Sequence, residues 1–539
     1  MFGRKTKVDS GLRWYEFGRL TKSKLDTNTA IVSALVESHP HFAFDRDGSL
    51  AKHSAIVIKL GAERSAADHF ALLECLNTSV ISFFLQEVCH NKGSGGGSSK
   101  NERWTDFFEF NGSNLGDIPI PPRISGELAE RIDKSARDRG SLLSNLDAVD
   151  DVPLTRILQL RSSQDHELSG RMISLQEELD WKGLIAYGLA PDDLRVLGAD
   201  APPLSLGHRA FEIVLARQVA AGEIEPTWFE RHGSTPVTDI PRDWPTEYRK
   251  AVEQRVALIE SDADVALIER PEHKRRWSGA SWDDRQRGAL AEMVLDGLEE
   301  PSLWEDLRLR STNELTDKIR SQARHLEALE MLAERKDADL AATLQRLVME
   351  AAVPSLSAER LTEKGLGKRE VWERVWELQR AQDMGQEVGP IPTPPKYTPG
   401  DFRGPVYWKH RSKLDVPNER FVLIPKAERG ADSSPVVGWG GWNERDLARA
   451  LAGRVTELRQ EHAAGADRLV PLLAGVLELL QWIHQWHPEA DALFGGPPGA
   501  FFESWLDGEL AALGVTRDTL RAWRPPAPTR GRKAKASTA

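Results

Sequence analysis

A run of seven Gly and Ser residues at positions 93–99 strongly restricts what this part of the chain can form. These residues supply no apolar side chains for a core, so the run must lie at a surface. An apolar helical pattern over residues 67–88 precedes the run, and an aromatic segment at residues 104–110 follows it. Basic residues flank the run on both sides, which suits a surface close to a phosphate backbone. A flexible connector without any ligand is the alternative interpretation.

The chain has 539 residues, enough for roughly three or four domains of about 150 residues each. Its formal net charge of −11 excludes a protein that binds nucleic acid over its whole surface, because phosphate binding requires clustered Lys and Arg. The charge is uneven, however. Basic residues outnumber acidic ones in residues 1–24 and again after Leu520, so local anion binding is compatible with an acidic chain.

Cysteine usage and hydropathy indicate a cytoplasmic protein without membrane contact. Cys75 and Cys89 both fall on the apolar helical pattern and lack metal-ligand spacing, so we expect reduced thiols in a core. The first residues show no signal-peptide pattern. The longest apolar segment, residues 469–483, is too short to span a bilayer and contains Glu478.

The residue patterns predict an α+β fold that is mainly helical. A β-branched run at residues 54–60 predicts a strand, and the apolar period over residues 67–88 predicts one helix. Two short strands at residues 420–425 and 435–442 are expected to form a hairpin. Further helices are predicted over residues 208–221, 244–260, 369–382, 446–458 and 469–483, and one or two helices over residues 326–349.

Composition shifts divide the chain into six segments. In order, we predict a mixed α/β region, a helical spacer, a helical middle domain, a Pro/Gly linker, a small α+β domain and a basic disordered tail. Their bounds are residues 1–122, 123–199, 200–385, 386–405, 406–524 and 525–539. The order places the mixed α/β region, with its Gly/Ser run, ahead of the helical part.

Common cofactor-binding motifs are absent from the sequence. It contains no phosphate-cradling GxxxxGK[ST] loop and no strand–GxGxxG–helix unit. No Pro-Pro pair is preceded by Asn, Asp or Ser or followed by an aromatic residue. The tetrapeptide with which amino-methyltransferases hold a flipped adenine is therefore missing, and we predict neither catalytic nor cofactor-binding residues.

Two local clusters imitate metal sites. Asp264, Glu272 and Lys274 imitate the Asp…Glu-x-Lys pattern of metal-dependent nucleases, in which carboxylates hold a divalent cation near an attacking water. That pattern normally sits on adjacent strands, whereas this context is helix and turn, so a solvated charged face is the favoured interpretation. His484 and His487 are spaced for one helix face but lack a convincing third ligand. No metal site is predicted.

Several motifs carry a family resemblance that spans nearly the whole chain. The longest are LLECLNTS (72–79), VCHNKGS (88–94), FFEFNG (107–112), LQEELDW (175–181), WFERHGSTP (228–236) and LIERPEHKRRW (267–277). Together they resemble the type 2 branch of the adenine-specific DNA methyltransferases of phage defence by bacteriophage exclusion. The resemblance implies N6-methylation of adenine in DNA with S-adenosylmethionine as methyl donor.

The same resemblance implies which part of such an enzyme this chain matches. In the family, the methyl-donor loop and the Asn-Pro-Pro-aromatic motif lie upstream of a region like residues 1–122. This chain lacks both motifs, so it looks like the target-recognition and C-terminal part of a longer, split or truncated enzyme. The expected partners are double-stranded DNA and an upstream methyltransferase domain or other phage-defence proteins, with no cofactor in this chain.

A recognition region needs side chains that bond base edges and others that hold phosphates. Asn91 is expected to contact a base edge, and the basic residues to neutralise phosphates. The full set of expected DNA contacts is Asn91, Lys92, Lys100, Arg103, Lys22 and Lys24. Two alternatives stay open: a helical protein-interaction subunit that makes no DNA contact, and a metal nuclease.

Overall fold

A computed structural model describes residues 8–16, 29–49, 54–61, 63–94, 102–122, 125–148, 152–196, 201–333, 339–411, 418–461 and 465–526. The described part is mainly helical with small sheets, which confirms the predicted α+β class. The chain forms two compact units. We call Leu20–Gln286 the N-terminal unit, and Met1–Arg19 with Arg287–Ala539 the C-terminal unit. The six predicted segment boundaries stay predictions.

Two small antiparallel sheets occur in the N-terminal unit. Its strands are β1 (Ala30–Ala34), β2 (Val36–Glu37), β3 (Ala43–Asp45), β4 (Ala55–Ile58), β5 (His90–Ser94) and β6 (Asp106–Glu109). One sheet has the order β3-β1-β4 and the other the order β2-β6-β5. β4 confirms the strand predicted over residues 54–60. Buried side chains from β1, β6 and the first two helices form the core beside these sheets.

Helices make up most of the N-terminal unit. They are α1 (Ala66–Leu76), α2 (Ser79–Val88), α3 (Gly112–Gly116), α4 (Glu127–Ser141), α5 (Leu154–Ala186), α6 (Ala210–Ala220), α7 (Thr227–His232), α8 (Thr246–Ser261) and α9 (Ala263–Ile268). A further helix, α10 (Trp282–Leu298), follows. One large apolar cluster gathers residues of α5, α6 and α8.

The single helix predicted over residues 67–88 is wrong, because the chain bends by 68° between α1 and α2. Asn77 ends α1, and Thr78 caps α2 by accepting a hydrogen bond from the Ile81 amide. Asn77 also exchanges two side-chain hydrogen bonds with the backbone of Phe42, at 3.1 and 3.0 Å. The apolar period continues through both helices, so periodicity alone concealed the caps.

The break between α1 and α2 also allows a close helix contact. Gly183 of α5 faces Thr78 so closely that an added Cβ would lie 2.8 Å from the Thr78 methyl group. Among the described residues, none of the helices alone has the length and apolarity to cross a membrane. The bent pair α1 and α2 meets that test by length and composition only.

The C-terminal unit contains a four-stranded sheet of order β7-β10-β9-β8. Its strands are β7 (Arg310–Ser311), β8 (Ala352–Pro354), β9 (Phe421–Ile424) and β10 (Val436–Trp439), with β8 parallel to β9. The helices are α11 (Pro301–Trp304), α12 (Thr312–Arg320), α13 (Ala323–Leu332), α14 (Leu340–Glu350), α15 (Ser357–Arg360), α16 (Glu363–Asp383), α17 (Pro405–Arg411), α18 (Glu444–Gln460), α19 (Ala466–Trp486), α20 (Pro498–Leu513) and α21 (Arg517–Ala522). The antiparallel β9–β10 pair confirms the predicted hairpin.

The Pro/Gly segment predicted as a linker at residues 386–405 lies against α16. The Trp372 indole donates a hydrogen bond of 2.9 Å to the Pro395 carbonyl. Asp401 is fully buried and accepts from Lys368 at 2.6 Å. A segment without regular structure is therefore held in place within the C-terminal unit by side chains of one helix.

Candidate nucleic-acid interface

The segment that carries Asn91 and Lys92 is a β-hairpin arm rather than an irregular loop. β5 pairs antiparallel with β6, and a β-bulge interrupts the register between Asn91 and Gly93. Gly93 adopts a φ of +86°, a conformation that a residue with a Cβ rarely takes. The Asn91 side-chain oxygen accepts the Gly93 amide at 2.7 Å and so stabilises the bulge. Bulges of this kind re-aim neighbouring side chains.

Each described residue of the predicted DNA-contact set is exposed or half-exposed and has an acidic neighbour. The contacts are Asn91 Nδ2 to Asp106 (3.0 Å), Lys92 Nζ to Glu109 (2.5 Å) and Arg103 to Glu87 (3.4 Å). Lys22, Lys24 and Lys100 lie outside the described residues. Exposed pairs of this type contribute little stability, so their basic members are able to exchange partners.

A second basic group, which the sequence interpretation missed, surrounds Trp104. The guanidinium groups of Arg231 and Arg276 lie 5.1 and 5.8 Å from the Trp104 ring centre. Arg276 also donates to Ser38 Oγ at 2.6 Å and to the Trp104 carbonyl. Burial, together with the nearby charge of Arg231, lowers the pKa of Arg276 to about 10. The Arg-Arg-Trp end of the motif at 267–277, in which an aromatic residue follows consecutive basic residues, was the available signal.

Three histidines beside this group are held neutral. Burial lowers the pKa of His41 to about 3, and the charges of Arg275 and Arg276 act in the same direction. Burial likewise lowers the pKa of His273 to about 3 and that of His39 well below its ordinary value. The positive charge of this region therefore comes from its arginines.

The motifs LQEELDW and LIERPEHKRRW meet in a buried network of ion pairs, mostly with α6 and α8. Arg255 forms a bidentate pair with Glu178 at 2.8 and 2.7 Å. The other pairs are Arg209–Glu212 (2.9 Å), Lys274–Asp180 (3.4 Å) and Lys274–Glu269. All of these side chains are at most 2% exposed. Two of the resembling motifs thus carry the charges of an interior network.

The nuclease-like cluster is not assembled in the structure. Lys274 is buried and paired with Asp180 and Glu269, whereas Asp264 is exposed in the first turn of α9. Glu272 is buried, and its carbonyl accepts a hydrogen bond from Gln86 at 2.8 Å. Among the described residues, no group of three or more His, Cys, Asp or Glu side chains has a metal-binding arrangement.

The two C-terminal histidines have separate acidic neighbours. His484 lies 3.5 Å from Glu503, and His487 lies 3.9 Å from Glu444. The sequence spacing placed the histidines on one helix, which α19 confirms for His484, while His487 follows the end of that helix. The pair does not converge on a shared acidic residue.

These features define a helical protein with an interior ion network and a basic, aromatic surface next to a hairpin. The family described as "Domain of unknown function (DUF7008)" matches residues 172–534, so the chain belongs to this family. The chain is also similar to "Adenine-specific methyltransferase PglX" of Streptomyces coelicolor, with 39% identity over 98% of this chain. It spans 45% of that relative's length. No solved structure matches the chain.

Proposed function

We propose that this chain is the DNA-recognition and scaffold portion of a phage-defence adenine-N6 DNA methyltransferase. Methyl transfer from S-adenosylmethionine would then be performed by a catalytic domain that these 539 residues do not contain. The similarity to the adenine-specific methyltransferase over 98% of this chain supports the proposal. The structural observation that best supports the proposal is the β5–β6 hairpin, with the exposed residues Asn91 and Lys92 at its bulge.

The hairpin has the chemistry that duplex recognition needs. Among the described strands, only β5 and β6 pair beyond the end of β2, and a two-stranded ribbon of this kind fits the major groove. An Asn side chain bonds adenine with both its oxygen and its nitrogen. Asn91 has both groups occupied by short-range contacts to Gly93 and Asp106, which DNA would replace. Lys92 and Arg103 would exchange Glu109 and Glu87 for phosphates.

Salt-dependent DNA binding by the full chain tests the proposal. With about three to five phosphate contacts, we expect log K to fall against log[salt] with a slope of about −3 to −4.5. The double variant Lys92→Ala with Lys100→Ala should bind DNA more weakly than the parent chain. Its salt slope should be shallower by the amount that corresponds to about two phosphate contacts. Fluorescence anisotropy of a labelled duplex measures both quantities.

The matched control replaces two exposed lysines of the same unit, Lys134→Ala with Lys250→Ala. The Lys134 and Lys250 side chains are 68% and 62% exposed, and they belong to α4 and α8 rather than to the hairpin. The control should keep the parent slope. Binding no tighter than that of an acidic control protein would overturn the proposal and favour the protein-interaction alternative. Equal losses in both double variants would remove the assignment to the hairpin.

A further inference from the structure

We propose that Arg275, Arg276 and Trp277 form a binding site for a backbone phosphate of DNA, next to the β5–β6 hairpin. The inference rests on the proposed DNA-recognition function and adds contacts outside the residues predicted from the sequence. Its basis is a set of hydrogen-bond donors for which the described protein supplies no acceptor. Donors alone, carried partly by cations, call for an anion with several oxygen atoms.

The unpartnered donors are consecutive in the chain. Arg276 Nε and Trp277 Nε1 are both buried and have no hydrogen-bond partner in the described structure. The Arg275 guanidinium lies 4.8 Å from the centre of the Trp277 ring, and no described acceptor contacts it. Arg276 Nε and Trp277 Nε1 have almost no accessible surface, so the partly exposed Arg275 guanidinium is the donor that an anion reaches.

Two other buried arginines of the N-terminal unit differ from Arg275 in having acidic partners. Arg255 and Arg209 are each bonded to a carboxylate, Glu178 and Glu212, at 2.7 and 2.9 Å. Arg275 is partly buried and has no carboxylate within ion-pair distance among the described residues. A guanidinium that is partly desolvated and has no acidic partner would be stabilised by binding an anion.

The charged groups around this site leave it positive. Both arginines act electrostatically on Glu37, His39 and His41, which places their charges near one another. The histidines are neutral. Among the described residues, Glu37 acts on both arginines and Asp180 acts on Arg275, and neither carboxylate forms an ion pair with them. Arg231 lies close enough to lower the pKa of Arg276, and its own charge is partly offset by Glu102 at 3.9 Å.

The site is joined to the hairpin by direct contacts. Arg276 donates to the carbonyl of Trp104, which lies two residues before β6 begins. The short turn Arg103–Thr105 contacts the turn Pro271–His273, which ends two residues before Arg275. A duplex lying along the hairpin would therefore bring its backbone toward Arg275, and the phosphate oxygens would accept from the partly exposed Arg275 guanidinium.

The test compares Arg275→Gln with Arg137→Gln in the full chain. Both substitutions remove one arginine charge, but Arg137 is 57% exposed and pairs with Asp133 on α4. We expect Arg275→Gln to weaken duplex binding about five- to tenfold and to reduce the salt slope by about 0.9, the value for one phosphate. Arg137→Gln should change neither quantity. Arg276→Lys, which keeps the charge but loses the planar fork, should weaken binding less than Arg275→Gln.

Inorganic phosphate separates this inference from the proposed function. Broadening of the ³¹P resonance should occur with the parent and with Arg137→Gln, and should be lost with Arg275→Gln. If the parent binds DNA but Arg275→Gln keeps its affinity and slope, the phosphate site is wrong and the DNA-recognition proposal stands. If the parent broadens the phosphate signal but binds no duplex, the DNA role is wrong while an anion site is present. A folded Arg275→Gln protein, checked by circular dichroism, is required for either conclusion.

Discussion

The interior network and the hairpin surface contain the same kind of ion pair, but the two pairs differ in burial and in role. Arg255 and Glu178 approach to 2.7 Å, and Lys92 and Glu109 to 2.5 Å. The first two side chains are 0% and 2% exposed, whereas the second two are 39% and 35% exposed. The distances are nearly equal, so the difference lies in the access of water. A buried pair cannot change partners without leaving a bare charge, while an exposed pair exchanges its partner readily.

Removing one member of the buried pair should produce the largest effect. Arg255→Ala leaves Glu178 as an unpaired charge in the interior, and we expect a loss of about 3–5 kcal/mol in the free energy of unfolding. Urea denaturation followed by circular dichroism measures the loss. The exposed counterpart, Lys92→Ala, should cost at most about 1 kcal/mol. Similar losses for both variants would remove the distinction between the two regions.

A double replacement sharpens the same comparison. Arg255→Met with Glu178→Met removes both buried charges and keeps apolar volume at the site. We expect this variant to be more stable than Arg255→Ala alone, because no charge is left without a partner. The same urea denaturation experiment measures the stability of both variants. A double variant less stable than Arg255→Ala would contradict the expected order.

The stability of the N-terminal unit should depend on pH through its buried histidines. The pKa of His273 is lowered to about 3 in the folded chain, far below the ordinary value near 6.5. The unfolded chain therefore binds a proton first, and stability present above about pH 6.5 is lost as the pH falls toward 3. His273→Gln should reduce this slope by up to about 1.4 kcal/mol per pH unit between pH 6 and 4. Urea midpoints across that range measure it, and an unchanged slope would show that His273 does not contribute.

The smallest expected effect concerns the acidic member of the exposed pair. Glu109→Gln removes the internal partner of Lys92 and a negative charge from the proposed DNA surface. We expect DNA affinity to rise about three- to tenfold, with little change in stability. Anisotropy titration at constant salt measures this, with Glu260→Gln on α8 as an exposed acidic control. A fall in affinity would indicate that Glu109 orders Lys92 for binding rather than competing for it.

Long apolar periods predicted the helices of this chain well, and capping chemistry explains the main error. α6, α8, α18 and α19 lie where their patterns predicted them. The break at Asn77 and Thr78 was hidden because apolar residues continue on the same period through both helices. Asn77 ends α1, and its side chain accepts a hydrogen bond from the Phe42 amide.

The site could be predicted only in part. The Gly/Ser run pointed to the surface beside Asn91 and Lys92, and the structure puts both residues on a hairpin strand. Sequence patterns did not identify Arg275 and Arg276 as binding residues, because their lack of acidic partners is a property of three-dimensional neighbours. The same motif holds Lys274, which was predicted to lie on a solvated charged face; that prediction is wrong, because Lys274 is a buried partner of Asp180.

The sequence by itself determined the mainly helical class, the antiparallel hairpin of the C-terminal unit and the exposure of the Gly/Ser flank, because hydrophobic period and turn chemistry act locally along the chain. Only the tertiary structure decided which charges are paired. Whether a lysine or arginine stabilises the fold or stays available to an anion depends on burial and on carboxylates brought from distant elements. Lys274 and Arg275 are adjacent in sequence, yet the first lies in an interior network and the second has no acidic partner among the described residues.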